Sequence, residues 1–165
     1  MELAAVLGLL SRYGVLILLV ITCLEAMNCP GMPAGVVLPA AGVYAANGQI
    51  SVFLAVLLTI IGGMTGTVVL YLIGRAGGHA LLDWLNRHSK TFRGASDRCE
   101  TFLQKNSFQK VFLGRIIPVV RTILPLPAGA YRVSPVSFLM ASVLGITCYN
   151  AVCVGAGYLL GYLFV

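Results

Sequence analysis

Two arginines, Arg115 and Arg121, stand in the apolar stretch FLGRIIPVVRTILPLPAG at residues 112–129. A charged side chain deep in hydrocarbon costs a few kcal/mol or more, so such residues are rare and are kept for function. Guanidinium forks bind phosphate in a bidentate manner and hold their charge where a lysine sheds its proton. A pair of them is a clamp for an anionic headgroup. Six residues apart on an unbroken helix, they would point about 240° from each other. Pro118 lies between them, and a break there lets both face one pocket. Pro125 and Pro127 follow. Prolines this close exclude one straight helix, because each removes a backbone donor and crowds the preceding turn. Broken backbone at membrane depth survives only where protein or a wet cavity satisfies its polar groups. The stretch is therefore expected to form a re-entrant helical hairpin that carries two fixed positive charges into a polar pocket. The plainer alternative has Arg115 snorkelling to the cytoplasmic interface, with Arg132 anchoring the last helix.

The acid that answers these charges is Glu25. It follows Leu3–Leu24, which is apolar apart from Ser11 and Arg12, and it precedes NCPGMPAG. Pro30 and Pro33, with Gly31 and Gly35, break any helix there. Val36–Ala46 is apolar but too short to span, since a crossing helix needs about 20 residues. Two short apolar pieces around a Pro/Gly break are expected to form another re-entrant hairpin, as interrupted segments do at transporter sites. The alternative is one tilted span over Leu3–Leu24 with a periplasmic loop after it. Glu25 is placed to neutralise one arginine in the empty site, to gate it, or to couple transport to protons.

Other chemistries find less support. Covalent catalysis needs a nucleophile with an acid or base in reach, and the apolar segments hold no histidine. The chain is read as no enzyme, and no cofactor is expected. His79 and Asp83 are spaced i, i+4 but lack an evident third ligand, so no metal site is expected. His88 reads as an exposed polar residue. The five cysteines form no CxxC pair and read as small apolar residues.

Elements of a membrane protein must position these groups. The 165 residues are 59% hydrophobic and 10% charged, with mean hydropathy +0.94. Soluble domains carry roughly 25% charged residues. The N-terminus opens MELAAVLG, without the basic region of a cleaved signal peptide. Ser51–Ile73 has no charge and is expected to be a transmembrane helix. Gly62 and Gly66 on it make a small-xxx-small pair that admits a close backbone. Val136–Val165 is also uncharged and longer than one span needs, so it must tilt, bend or overrun the bilayer. Gly157 and Gly161 repeat the small-xxx-small spacing, and Asn150 has either a cross-helix or a local bond to make. A homo-oligomer joined through these faces is expected as a partner state. The net charge of +6 is not a nucleic-acid signal, because Arg75, Arg87, Lys90, Arg93, Arg98, Lys105 and Lys110 share one connecting segment. The positive-inside rule makes that segment cytoplasmic. Leu81, Leu82, Trp84 and Leu85 form an apolar stripe suited to an interfacial helix.

The chain also repeats itself. Pro39-Ala-Ala-Gly-Val-Tyr44 leads to Phe53 and a span, and Pro127-Ala-Gly-Ala-Tyr131 leads to Phe138 and a span. Each follows a proline-broken apolar segment that carries charge. With a single full span between them, the hairpins would enter from opposite faces as an inverted repeat. Their tips would then bring Glu25 close to the arginines. The expected fold is an all-α integral membrane domain over 1–165. It comprises one repeat at about 14–74, an amphipathic connector at about 75–110 and a second repeat at about 111–165.

Three blocks resemble the DedA family, whose shared region is also called the SNARE-associated or VTT domain. They are Glu25-A-M-N-C-Pro30-G-M-Pro33-A-G-V-V-L-Pro39-A-Ala41-Gly42, Gly66-T-V-V-L-Tyr71-L-I-Gly74-Arg75, and Phe112-L-Gly114-Arg115-I-I-Pro118-V-V-Arg121 followed by Pro127-Ala128-Gly129. The third is the most specific, resembling the family run F-x-x-R-x-x-P-x-x-R. Two acids common in the family are replaced here by Gly35 and Thr67. The resemblance implies opposed re-entrant hairpins in a multi-pass protein of the bacterial inner membrane. It also implies a flippase for a phosphate-bearing lipid carrier such as undecaprenyl phosphate, with Arg115 and Arg121 on the headgroup and Glu25 as gate. The alternatives are a proton-coupled transporter of a small solute or ion, which the missing acids weaken, and a phospholipid scramblase.

Overall fold

The computed structural model describes residues 8, 13, 15–27, 35–88, 93–94 and 107–164. Every element among them is a helix: α1 Val15–Ala26, α2 Val37–Ala46, α3 Val52–His88, α4 Ser107–Ile116, α5 Pro118–Ile123, α6 Pro125–Ala130 and α7 Pro135–Phe164. Both α3 and α7 are long and apolar enough to cross a membrane. With 30 residues, α7 rises about 45 Å, against a hydrocarbon core of about 30 Å. Large apolar side chains cover the outside, among them Phe53, Leu163 and Val152, 78%, 76% and 71% exposed. Lipid, not water, is the solvent that such a surface fits.

The expected span Ser51–Ile73 is the first part of α3, and the helix runs on into the polar segment. Its direction changes at Gly78, where φ 54° and ψ −151° leave the helical region. Glycine enters that left-handed region at no steric cost. Beyond the bend, buried Leu82 lies with Leu126 and Ala130 in an apolar cluster that Leu81 and Leu85 pack against. Trp84 does not share that face. It sits two residues from Leu82, about 200° around the helix, and is 57% exposed.

Contacts divide the chain into two units, 1–66 with 147–165 and 67–146. The divisions fall inside α3 and α7, so each long helix lends its first part to one unit and its second part to the other. For that reason the units differ from the sequential repeats expected at about 14–74 and 111–165.

In the first unit, Leu18 and Ile21 of α1 share a core with Val37, Leu38, Ala41 and Tyr44 of α2, together with Ala55 and Val154. Gly62 abuts the Leu19 carbonyl and Thr22, and Gly66 abuts the Cys23 carbonyl and Ala26. Elsewhere in this unit, Gly42 meets the backbone of Val154 and Gly157, while Gly157 meets that of Pro39. Gly161 lies on Val43 and Ala46. The small-xxx-small faces that the sequence offered to a second copy are thus covered by the chain's own helices.

The second unit repeats these contacts. Gly145 of α7 abuts Arg115 and the Phe112 carbonyl of α4. Gly129 of α6 meets the backbone of Tyr71 and Arg75, and Gly74 meets that of Leu126. Along α3 and α7 the matching positions keep one constant offset: Gly62 with Gly145, Tyr71 with Val154, Gly74 with Gly157. The AG-x-Y segments match as the sequence suggested, Gly42 answering to Gly129. Phe53 and Phe138 do not match: Phe138 is 0% exposed, and by the same offset its counterpart is buried Ala55.

Candidate anion-binding site

The second unit holds both arginines. α4 ends at Ile116, and Ile117 is extended, with φ −82° and ψ 118°. Extended backbone is what proline imposes on the residue before it, so Pro118 turns the chain between Arg115 and Arg121 and opens α5. Pro125 acts differently. Leu124 keeps helical dihedrals, φ −51° and ψ −38°. The ladder holds on both sides, with Leu124 N–H donating to Val120 O at 2.9 Å and Ala128 N–H to Leu124 O at 3.0 Å. What Pro125 removes is one donor: the N–H that would have bonded the carbonyl of Arg121, four residues back.

Arg115 supplies the missing donor. Its Nη1 donates to Arg121 O at 3.1 Å and to Thr67 Oγ1 at 3.2 Å. Its Nη2 donates to Ser142 Oγ at 2.9 Å. The guanidinium carbon lies 5.4 Å from the centre of the Phe138 ring, which stacks on Tyr71 at 4.7 Å. Tyr71 in turn donates to Val133 O at 2.6 Å and accepts from Arg75 Nη1 at 3.0 Å. Arg115 is 3% exposed, and its Nε is buried without a partner among the described residues. A guanidinium has five N–H donors to satisfy, and the groups bonded to this one are hydroxyls and a carbonyl. Arg121 is half-buried. Arg115 therefore does not snorkel, whereas Arg132 is exposed beyond the end of α6.

Glu25 belongs to the first unit, at the end of α1, and is 5% exposed. Its Oε1 accepts from the Gly35 N–H at 3.3 Å. Gly35 has φ +90°, a conformation that L side chains rarely adopt. Glycine at the place of a familial acid is thus also a backbone requirement here. Pro30 and Pro33 lie outside the described residues. On the connector, Asp83, Asn86, Arg87 and Arg93 line a separate polar hollow. His79 packs edge-on against Tyr131 at 5.2 Å.

Sequence reasoning missed Ser142 and noticed Thr67 only as a departure. Their signal is positional. Thr59 and Asn150 occupy the matching places on α3 and α7 in the first unit, and Thr22 of α1 stands where Arg115 stands on α4. All six are buried polar residues. In the first unit, Thr22 and Thr59 bond within their own helices, to Leu18 O and Val56 O, both at 2.8 Å. At these six matched positions the charged residue is Arg115, in the second unit.

The model of the VTT domain matches residues 3–159. The chain belongs to the VTT-domain, or DedA, family. Among relatives of this DedA-family chain, undecaprenyl phosphate transporter A of Bacillus subtilis is 32% identical over 130 residues, covering 79% of this chain and 66% of the transporter. Protein DedA of Escherichia coli is 30% identical over 161 residues, 93% of this chain and 73% of that protein. An uncharacterized membrane protein of B. subtilis, YkoX, is 32% identical over 109 residues, 66% of this chain and 49% of its own length. The chain thus spans about half to two thirds of the B. subtilis relatives. No solved structure matches it.

Proposed function

We propose that this DedA-family protein is a flippase for a phosphate-bearing lipid carrier, with undecaprenyl phosphate the first candidate. The observation that carries the reading is the buried Arg115 guanidinium, bonded among the described residues only to neutral groups, beside the proline-broken segment that bears Arg121. A buried cation held by neutral groups attracts an anion strongly, because the low dielectric weakens screening. In this reading the headgroup phosphate contacts Arg121 while Arg115 adds a second fixed charge behind it, and the prenyl chain stays in lipid. The gating or proton-coupling role is assigned to Glu25 of the first unit. Support comes also from the relative whose name specifies undecaprenyl phosphate transport.

The same reading takes the two hairpins as re-entrant and as inverted repeats in a multi-pass inner-membrane protein. The matched contacts at Gly62 and Gly145, and at Gly42 and Gly129, favour it, and the basic connector is assigned to the cytoplasm.

Reconstitution in liposomes with a labelled polyprenyl phosphate tests the proposal. Arg121→Ala is expected to slow flipping about tenfold or more, the value of one charge-assisted contact. Wild-type rates in that variant would remove the arginine clamp.

A further inference from the structure

We infer that Thr67 and Ser142 are positioning residues of the anion seat, acting on Arg121 through Arg115. The inference rests on the proposed headgroup role of Arg121 and names what holds that residue in place. Pro125 cannot donate to the Arg121 carbonyl, and Arg115 Nη1 takes over that bond at 3.1 Å. A side chain makes a poorer ladder rung than a backbone amide, because it has rotamers to lose. Arg115 is kept in the one rotamer that reaches by its other bonds. Thr67 Oγ1 on α3 holds Nη1, Ser142 Oγ on α7 holds Nη2, and Phe138 lies over the guanidinium. The two hydroxyls are 0% exposed, so no ligand reaches them. Their effect passes along one chain of contacts: hydroxyl to guanidinium, guanidinium to carbonyl, carbonyl to the backbone that aims Arg121. In this chain the two hydroxyls hold the guanidinium without cancelling its charge.

The test is a double-mutant cycle on the full-length protein in nanodiscs, read by equilibrium binding of labelled farnesyl phosphate. Thr67→Val and Ser142→Ala are near-isosteric, and each is expected to weaken binding about threefold to tenfold. In an Arg121→Ala background, neither is expected to weaken it further, because residues acting in series do not add. Thr67→Ser retains the hydroxyl and should bind as wild type. Pro125→Ala restores the missing N–H and should recover most of the binding lost in Thr67→Val. Wild-type binding by both hydroxyl variants would overturn the inference while leaving the headgroup reading intact. Equal losses with and without Arg121 would also overturn it, as the mark of a general structural defect. Should Arg121→Ala alone bind the probe normally, the headgroup reading fails and the inference falls with it. If Thr67→Val does not fold, the Ser142→Ala arm of the cycle decides the same question.

Discussion

Glu25 is bonded to a backbone amide, and this separates its structural role from its proposed chemical one. An amide carbonyl accepts from the Gly35 N–H as a carboxylate does, although less strongly. Glu25→Gln is therefore expected to keep thermal stability in detergent within about 1 kcal/mol while transport falls sharply. Equal transport in the two proteins would reduce Glu25 to a cap on the break. Gly35 allows the opposite experiment. Restoring the familial acid as Gly35→Asp forces a side chain into φ +90° and should destabilise the fold by about 1–2 kcal/mol. A rise in melting temperature would mean that the new carboxylate outweighs the strain. Both outcomes turn on backbone geometry, which a motif comparison does not contain. The sequence marked Glu25, Arg115 and Arg121 because charge in hydrocarbon is conspicuous. Thr67 and Ser142 escaped notice because a hydroxyl in an apolar helix is ordinary, and its partner sits on another helix far along the chain.

At the level of the helices, the glycines set how closely the short helices seat against the long ones. A Cβ on Gly42 would strike the backbone of Val154, and one on Gly129 the backbone of Tyr71. Neither obstacle can swing aside as a side-chain tip would. Gly42→Ala and Gly129→Ala are each expected to cost about 1–3 kcal/mol in thermal unfolding, the range of an overpacked core. A loss at one position alone would deny that the two play matching parts. Arg132 presents a removable strain. It follows α6 with φ 54°, and the bonds Val133 N–H to Ala128 O and Arg132 N–H to Gly129 O close a Schellman turn. Glycine is the usual residue at this point, so Arg132→Gly should raise stability by about 1 kcal/mol. The helices themselves were legible from charge-free runs and from Pro/Gly punctuation. The different actions of Pro118 and Pro125 were not, since a proline marks a missing donor and tertiary contacts decide whether the chain also turns.

Over the molecule as a whole, the membrane character was legible from composition, and the repeated AG-x-Y segments hinted at duplication. The pairing of half-helices was hidden, because it joins residues at opposite ends of the sequence. Charge distribution makes a prediction of its own at this scale. A cysteine replacing Arg87 in a background without native cysteines should react with an impermeant maleimide only when the cytoplasmic face is open. Labelling in intact cells would reverse the orientation.

One consequence of the unit boundaries concerns synthesis. The stretch 67–146 is continuous, so every partner its unit needs has been synthesised once residue 146 is added. The other unit must wait, because residues 1–66 are completed by 147–165. A released chain truncated after residue 146 would hold every residue of the second unit, while in the first Gly42 would lack its neighbour Gly157. Proteolysis of that truncated chain is expected to spare the later-made unit and to cut the earlier-made one.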